Sequence, residues 1–198
     1  MTNIIAFDLD STLVSVEGAV ELAKMKNKLA RVQEFTNKAM NGEIPFDQII
    51  LERHKILSPT HYELEKLGDL YIETVVPKIV NVLNTLKNEP QVKVYILTAG
   101  YDIPTYMVAK VLGVSSQNIY SQLWFKNAKL HILEKLKNTL QPKRIIMVGD
   151  GANDLVTQPV TDYFVGAGYI VKRPVVQQKA DYFVNSVEEL KEVLIRLI

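Results

Sequence analysis

Apolar positions along this chain fall into two textures. A short unbroken run, Ile4-Ile5-Ala6-Phe7, predicts a buried strand over about Asn3 to Phe7. From Val16 to about Tyr71 the spacing changes to three and four residues, as in Leu22, Met25, Leu29, Val32 and Ala39, which predicts helices with no strand between them. Asn41-Gly42 breaks that pattern. Pro45 reopens a helix through Phe46, Ile49 and Ile50 to about Leu57, and Ser58-Pro59 offers a cap and first turn for another that ends near Gly68. From Pro77 the two textures alternate. Helices are expected at Pro77 to Lys87, Ile103 to Leu112 and Ala128 to Leu140, with strands at Val92 to Leu97, Ile119 to Phe125 and Arg144 to Val148. Shorter signals at Tyr163 to Val165, Tyr182 to Val184 and Val187 to Leu197 complete the series. Alternation of this kind predicts an α/β protein with a doubly wound parallel sheet. The sheet domain takes residues 1–13 and 76–198, and residues 14–75 form an inserted set of helices that reads as a lid.

Ligands of such sheets collect at the carboxyl ends of the strands, and the chemically active residues of this chain cluster there. Asp8 and Asp10 follow the first strand two residues apart, so in extended backbone both point the same way. Two anions that close require a cation or a shared proton, which makes the stretch half of a metal site; the alternative is an acidic turn. Ser11 and Thr12 add hydroxyl and backbone N–H donors. Thr98-Ala99-Gly100 follows a second strand, and Gly149-Asp150-Gly151 a third, with Asp154 one turn further on. Together the four aspartates offer only oxygen ligands, which suits a hard cation such as Mg2+. Lys129, at the start of a helix, supplies the opposite charge.

Composition narrows the field. The chain has 198 residues, 47% of them hydrophobic, and a net charge of +1, so no polyelectrolyte surface for nucleic acid is expected. Its densest basic run, Lys24, Lys26, Lys28 and Arg31, lies among acidic neighbours as on a solvated helix face. No apolar run reaches membrane-spanning length, and Cys 0 removes thiol chemistry and fits a reducing cytoplasm. A cytoplasmic protein, monomer or homodimer, acting on a small molecule is the expectation. His54, His61 and His131 are scattered without metal-ligand spacing and read as structural, as do Tyr120 and Trp124.

In this order, Asp8-Leu9-Asp10-Ser11-Thr12, Thr98, Lys129 and Gly149-Asp150 through Asp154 resemble the four motifs of the haloacid dehalogenase superfamily of aspartate-nucleophile phosphatases. The resemblance implies a Rossmann-like core with a C1-type helical cap at 14–75. It implies that Asp8 is the nucleophile and Asp10 the general acid and base. Mg2+ would be held by Asp8, the backbone carbonyl of Asp10, and Asp150. Ser11, Thr98, Ala99, Gly100 and Lys129 would hold phosphate, with Asn153 and Asp154 supporting the metal and its water.

A narrower resemblance, to the phosphoserine phosphatase family, rests on Glu17, Met40, Phe46 and Arg53 within DLDSTLVSVEG and GEIPFDQIILERH, and on VGAGYIVKRPVV. It implies that Glu17 pairs with the substrate ammonium, Arg53 with its carboxylate, and Met40 and Phe46 with its aliphatic part. The implied activity is hydrolysis of O-phospho-L-serine in serine biosynthesis. Three departures stand out: Thr98-Ala99-Gly100 replaces the family's Ser-Gly-Gly, Asn127-Ala128 replaces a Gly-Gly pair, and the segment between Thr98 and Lys129 is shortened to a trimmed IYSQLWF. Two alternatives stay open: another small phosphomonoester (phosphothreonine, phosphohomoserine or a phosphorylated amino alcohol), or a non-catalytic binding protein on the same scaffold.

Overall fold

The computed structural model of the chain describes residues 2–41, 43, 44 and 46–198, and the side chains of all of these except Met40, Phe46, Asp47 and Gln48. The expected break at Gly42 and helix start at Pro45 lie outside the described residues.

Among the described residues six strands form one sheet: β1 (Asn3–Phe7), β2 (Val92–Leu97), β3 (Ile119–Tyr120), β4 (Arg144–Gly149), β5 (Tyr163–Ala167) and β6 (Tyr182–Val184). Every pairing is parallel and the order is β3-β2-β1-β4-β5-β6. The chain builds outward from β1 to β2 and β3, then returns to β1's other side for β4. The reversal leaves a crevice at the carboxyl ends of β1 and β4, where doubly wound sheets bind ligands. Phe7 pairs with Ile96 on one side and Val148 on the other, and the next amide, Asp8 N–H, donates to Val148 O at 2.9 Å.

Alternation along β1 divides the core. Ile5 and Phe7 face one apolar cluster, and Ile4 and Ala6 the other. The first is covered by α5 (Ile79–Lys87), α6 (Asp102–Leu112) and α10 (Val187–Leu197) through Leu83, Val108 and Leu190. The second is covered by α7 (Ala128–Leu140), α8 (Ala152–Leu155) and α9 (Pro174–Lys179) through Leu133, Leu155 and Val176. β1 is buried throughout, which explains its unbroken apolar reading.

Between β1 and α5 the described residues form four helices: α1 (Gly18–Met25), α2 (Leu29–Met40), α3 (Phe46–Leu57) and α4 (His61–Glu73). The segments entering and leaving this block are tied by an antiparallel bridge between Val14 and Val75. Two hydrogen bonds flank it, Ser15 N–H to Thr74 O and Val76 N–H to Leu13 O, both 2.9 Å. The helical block shares the first core cluster through Leu22, Val32, Leu57, Leu67 and Tyr71.

Element boundaries differ from the sequence reading at three places. The expected continuous helix from Val16 splits at Asn27, whose φ of 55° is left-handed and ends α1. The helix expected from Ser58-Pro59 is α4, which a Thr60–Glu63 capping box starts at His61, and it runs past Gly68 to Glu73. The strand expected over Ile119 to Phe125 pairs only at Ile119 and Tyr120. Beyond it, Gln122 adopts φ 51° and the chain folds back on the loop after β2. Among the described residues no helix is long and apolar enough to cross a membrane.

Gly68 explains how α4 continues: a Cβ there would lie 2.3 Å from Met107 Sδ and 3.3 Å from Met107 Cβ on α6. Gly68→Val is therefore expected to push the two helices apart at a cost of about 1–3 kcal/mol. In thermal unfolding this should appear as a Tm lower by about 2–12 °C.

Candidate active site

Three strand ends meet at one pocket of about 570 Å³, part of it open solvent, lined by Asp8, Asp10, Glu17, Arg53, Thr98 and Asn153 among others. Asp8 leaves β1 with Oδ1 held by Leu9 N–H at 2.7 Å and by Lys129 Nζ at 2.7 Å. Both donors fall on the same oxygen, which leaves Oδ2 as the freer one. Lys129 opens α7 after Asn127, a left-handed residue with φ 54°, and its ammonium also reaches Asp154 Oδ1 at 2.5 Å. Asp154 sits on α8 with Oδ2 accepting from Gly151 N–H at 3.1 Å. The carboxylate folds back over β4, where a Cβ on Gly149 would lie 2.4 Å from Asp154 Cγ. That close approach, rather than a left-handed turn, accounts for glycine at 149.

Asp8, Asp150 and Asp154 place carboxylate oxygens within 4.8 Å of one another, all buried. Asp10 belongs to a different part of the pocket. Its side chain turns away from that trio to accept from Gly18 N–H at 2.9 Å and from the Tyr71 hydroxyl. Gly18 is needed here, since a Cβ would stand 2.1 Å from the Tyr71 oxygen. Thr98 Oγ1 accepts from Gly100 N–H at 2.9 Å, which closes the loop after β2. Ser11, at φ 53°, donates its amide to Val16 O at 3.2 Å and its hydroxyl to Glu17 Oε1 at 2.9 Å.

One cation escaped the sequence reading. Arg173, buried just before α9, donates from Nε to Asp150 Oδ2 at 2.9 Å and from Nη2 to Glu17 Oε1 at 3.1 Å. Its only signal was its place inside VGAGYIVKRPVV. Arg53, on α3, is buried, donates from Nη1 to Thr36 Oγ1 at 2.9 Å and lines the pocket. The side chains of Met40 and Phe46, expected beside it, lie outside the described residues. Tyr71 was likewise missed, because it reaches Asp10 from a distant helix. His54 and Trp124, read as structural, line the pocket instead, whereas His61 and His131 are paired at the surface with Glu65 and Glu134.

The electrostatics favour a bound cation. Among the described residues, Asp8, Asp10, Glu17, Asp150 and Asp154 face Lys129, Arg53 and Arg173, which leaves two negative charges uncompensated when all are ionised. Burial pushes the carboxyl of Asp10 up to about 6, with the Asp8 charge adding to it and the Tyr71 hydroxyl opposing. Burial likewise raises Glu17 and Asp150 to about 7 and Asp154 to about 8. Burial alone would lower Lys129, but Asp154 and Asp8 overcome it and hold the ammonium charged. Asn153 Oδ1 is buried on the pocket wall with no hydrogen-bond partner among the described residues. An all-oxygen set with surplus negative charge and an orphaned acceptor suits a hard divalent ion and its water.

A family model for haloacid dehalogenase-like hydrolases matches residues 2–157. The phosphoserine phosphatase of Bos taurus is 28% identical over 204 residues, covering 94% of this chain and 90% of its own length. Among solved structures, a phosphoserine phosphohydrolase-like protein from Francisella tularensis superposes with a TM-score of 0.84 at 25% identity, over 98% of this chain and 99% of that one. A substrate-bound phosphoserine phosphatase complex superposes with a TM-score of 0.82 at 25% identity, over 99% and 98% of the two chains.

The raised carboxyls carry a pH signature. Between the ordinary carboxylate range and pH 8 the folded chain binds more protons at Asp10, Glu17, Asp150 and Asp154 than the unfolded chain does, so stability falls as pH rises through that window. With a chelator present, thermal unfolding should give a higher Tm at pH 6 than at pH 8; the reverse order would contradict these shifts.

Proposed function

Since the chain belongs to the haloacid dehalogenase-like hydrolases and is a phosphatase, we propose that its reaction is the hydrolysis of O-phospho-L-serine to L-serine and phosphate through a phosphoryl group carried on Asp8. The observation that carries the reading is Glu17 and Arg53 on the lining of one pocket with Asp8, Asp10 and Thr98. An acid and a base that far into a phosphate pocket match a substrate that bears both an ammonium and a carboxylate.

In this account Asp8 Oδ2 attacks phosphorus while its partner oxygen stays fixed by Leu9 N–H and Lys129. The P–O ester bond breaks, and the departing serine oxygen takes its proton from the Asp10 carboxyl, whose raised pKa of about 6 keeps a protonated fraction near neutral pH. Water then attacks the phosphoryl group, Asp10 takes its proton back, and the Asp8 carboxylate leaves with phosphate released. Tyr71 and the Gly18 amide hold Asp10 in place. Lys129 and the Thr98 loop stabilise the phosphoryl oxygens as charge shifts onto them. Asp8, Asp150 and the Asp10 carbonyl would hold Mg2+, with Asp154 and Asn153 behind it. When bound, the ion offsets the charge of the phosphate and keeps Asp8 ionised. Residues 14–75 serve as the cap that shuts water out, tethered at the Val14 and Val75 bridge. We place the enzyme in the cytoplasm.

Three experiments test this. Asp8→Asn should reduce kcat by roughly 10³-fold or more, and chelation should abolish turnover until Mg2+ is restored. Arg53→Ala should cut kcat/KM for phosphoserine by about 10- to 150-fold, the loss of a charged hydrogen bond of about 1.5–3 kcal/mol. The same variant should leave phosphoethanolamine, which has no carboxylate, nearly unaffected. An equal loss on both substrates would remove Arg53 from substrate recognition.

A further inference from the structure

Besides Tyr71, the pocket lining carries a mutually packed group of three aromatic rings whose members come from separate parts of the chain. His54 is on α3, Tyr101 ends the loop after β2, and Trp124 lies in the shortened segment after β3. That segment is laced to the β2 loop by backbone bonds, Gln122 N–H to Gly100 O at 2.8 Å and Leu123 N–H to Thr98 O at 3.2 Å. The indole Nε1–H donates to Ala99 O at 2.8 Å, so Trp124 is held in one orientation and its only polar atom is already used. His54 lies over the indole at 4.5 Å between centroids, Tyr101 meets it edge-on at 5.5 Å and 76°, and His54 Nδ1 is 3.0 Å from the Tyr101 hydroxyl.

Side chains that only filled core would sit in one of the two sheet clusters. His54 and Trp124 belong to neither, Tyr101 packs on the edge of the first, and all three line the pocket. With phosphate at Asp8, Thr98 and Lys129, which are buried, the organic part of the ester extends into the pocket that these three side chains line together with Glu17 and Arg53. We propose that His54, Tyr101 and Trp124 form an aromatic clasp between α3 and the two core loops that sets the upper size limit on the phosphomonoester accepted. The proposal deepens the phosphoserine reading and rests on it for the placement of the ester. It also gives the segment after Tyr120 a role, since the left-handed turn at Gln122 carries the indole to the pocket.

The test compares O-phospho-L-serine with O-phospho-L-tyrosine, which keeps the ammonium and carboxylate and differs in bulk. Trp124→Ala should raise the kcat/KM ratio of phosphotyrosine to phosphoserine by 10-fold or more over wild type. His54→Ala should move it the same way by a smaller factor, and Trp124→Phe should stay within about threefold of wild type. Circular dichroism and Tm identify any variant that fails to fold; should Trp124→Ala be one, His54→Ala and Trp124→Phe decide the matter. An unchanged ratio in folded variants, or an equal loss on both substrates, would overturn the clasp. Should wild type favour another small phosphomonoester, that ester takes phosphoserine's place in the ratio, so failure of the substrate reading is told apart from failure of the clasp.

Discussion

A buried ammonium between two buried carboxylates organises this molecule. Lys129 is 4% exposed and Asp154 fully buried, yet each retains its partner, with Asp8 on the other side. Moving one such ion out of water costs several kcal/mol, and only close pairing with further hydrogen bonds recovers it. The chain meets that condition by supplying the partners from different elements: Asp8 after β1, Lys129 at the start of α7, and Asp154 on α8 folded over Gly149. Arg173 does the same for Asp150 and Glu17 from the turn before α9. Each of these positions is held by the parallel sheet, so the pocket and the fold stabilise together.

The same arrangement explains why the site is poised for phosphoryl chemistry. The surplus of negative charge left by the three cations would be a liability in an inert core. In a crevice it suits a hard cation, which Asp8, Asp150 and Asp154 could hold. Asp10 stands apart from the ion-paired group, bonded to Tyr71 and Gly18, and burial raises its carboxyl against the pull of those two donors.

Much of this was legible in the sequence because strand ends carry their chemistry locally. The apolar run before Asp8, the glycines around Asp150 and the one-turn offset of Asp154 each follow from short-range geometry, and the alternation after Pro77 predicted the sheet. What escaped notice depends on long-range approach. Tyr71 reaches Asp10 only because Gly18 leaves room for its ring, and Arg173 reaches two carboxylates across the sheet. Trp124 reached the pocket because Gln122 turned left-handed where a strand was expected. Glu17 and Arg53, which look like ordinary helix charges, gained meaning only through the family resemblance.

The central claim is that the buried carboxylates form one receptive site for a divalent ion. Calorimetric titration of metal-free protein with Mg2+ at pH 7, in two buffers of different ionisation enthalpy, tests it without substrate. The account predicts one ion bound per chain with net proton release, because carboxyls raised to about 7 and 8 at Asp150 and Asp154 must give up protons to receive it. Binding without proton release, or no saturable binding at all, would contradict it.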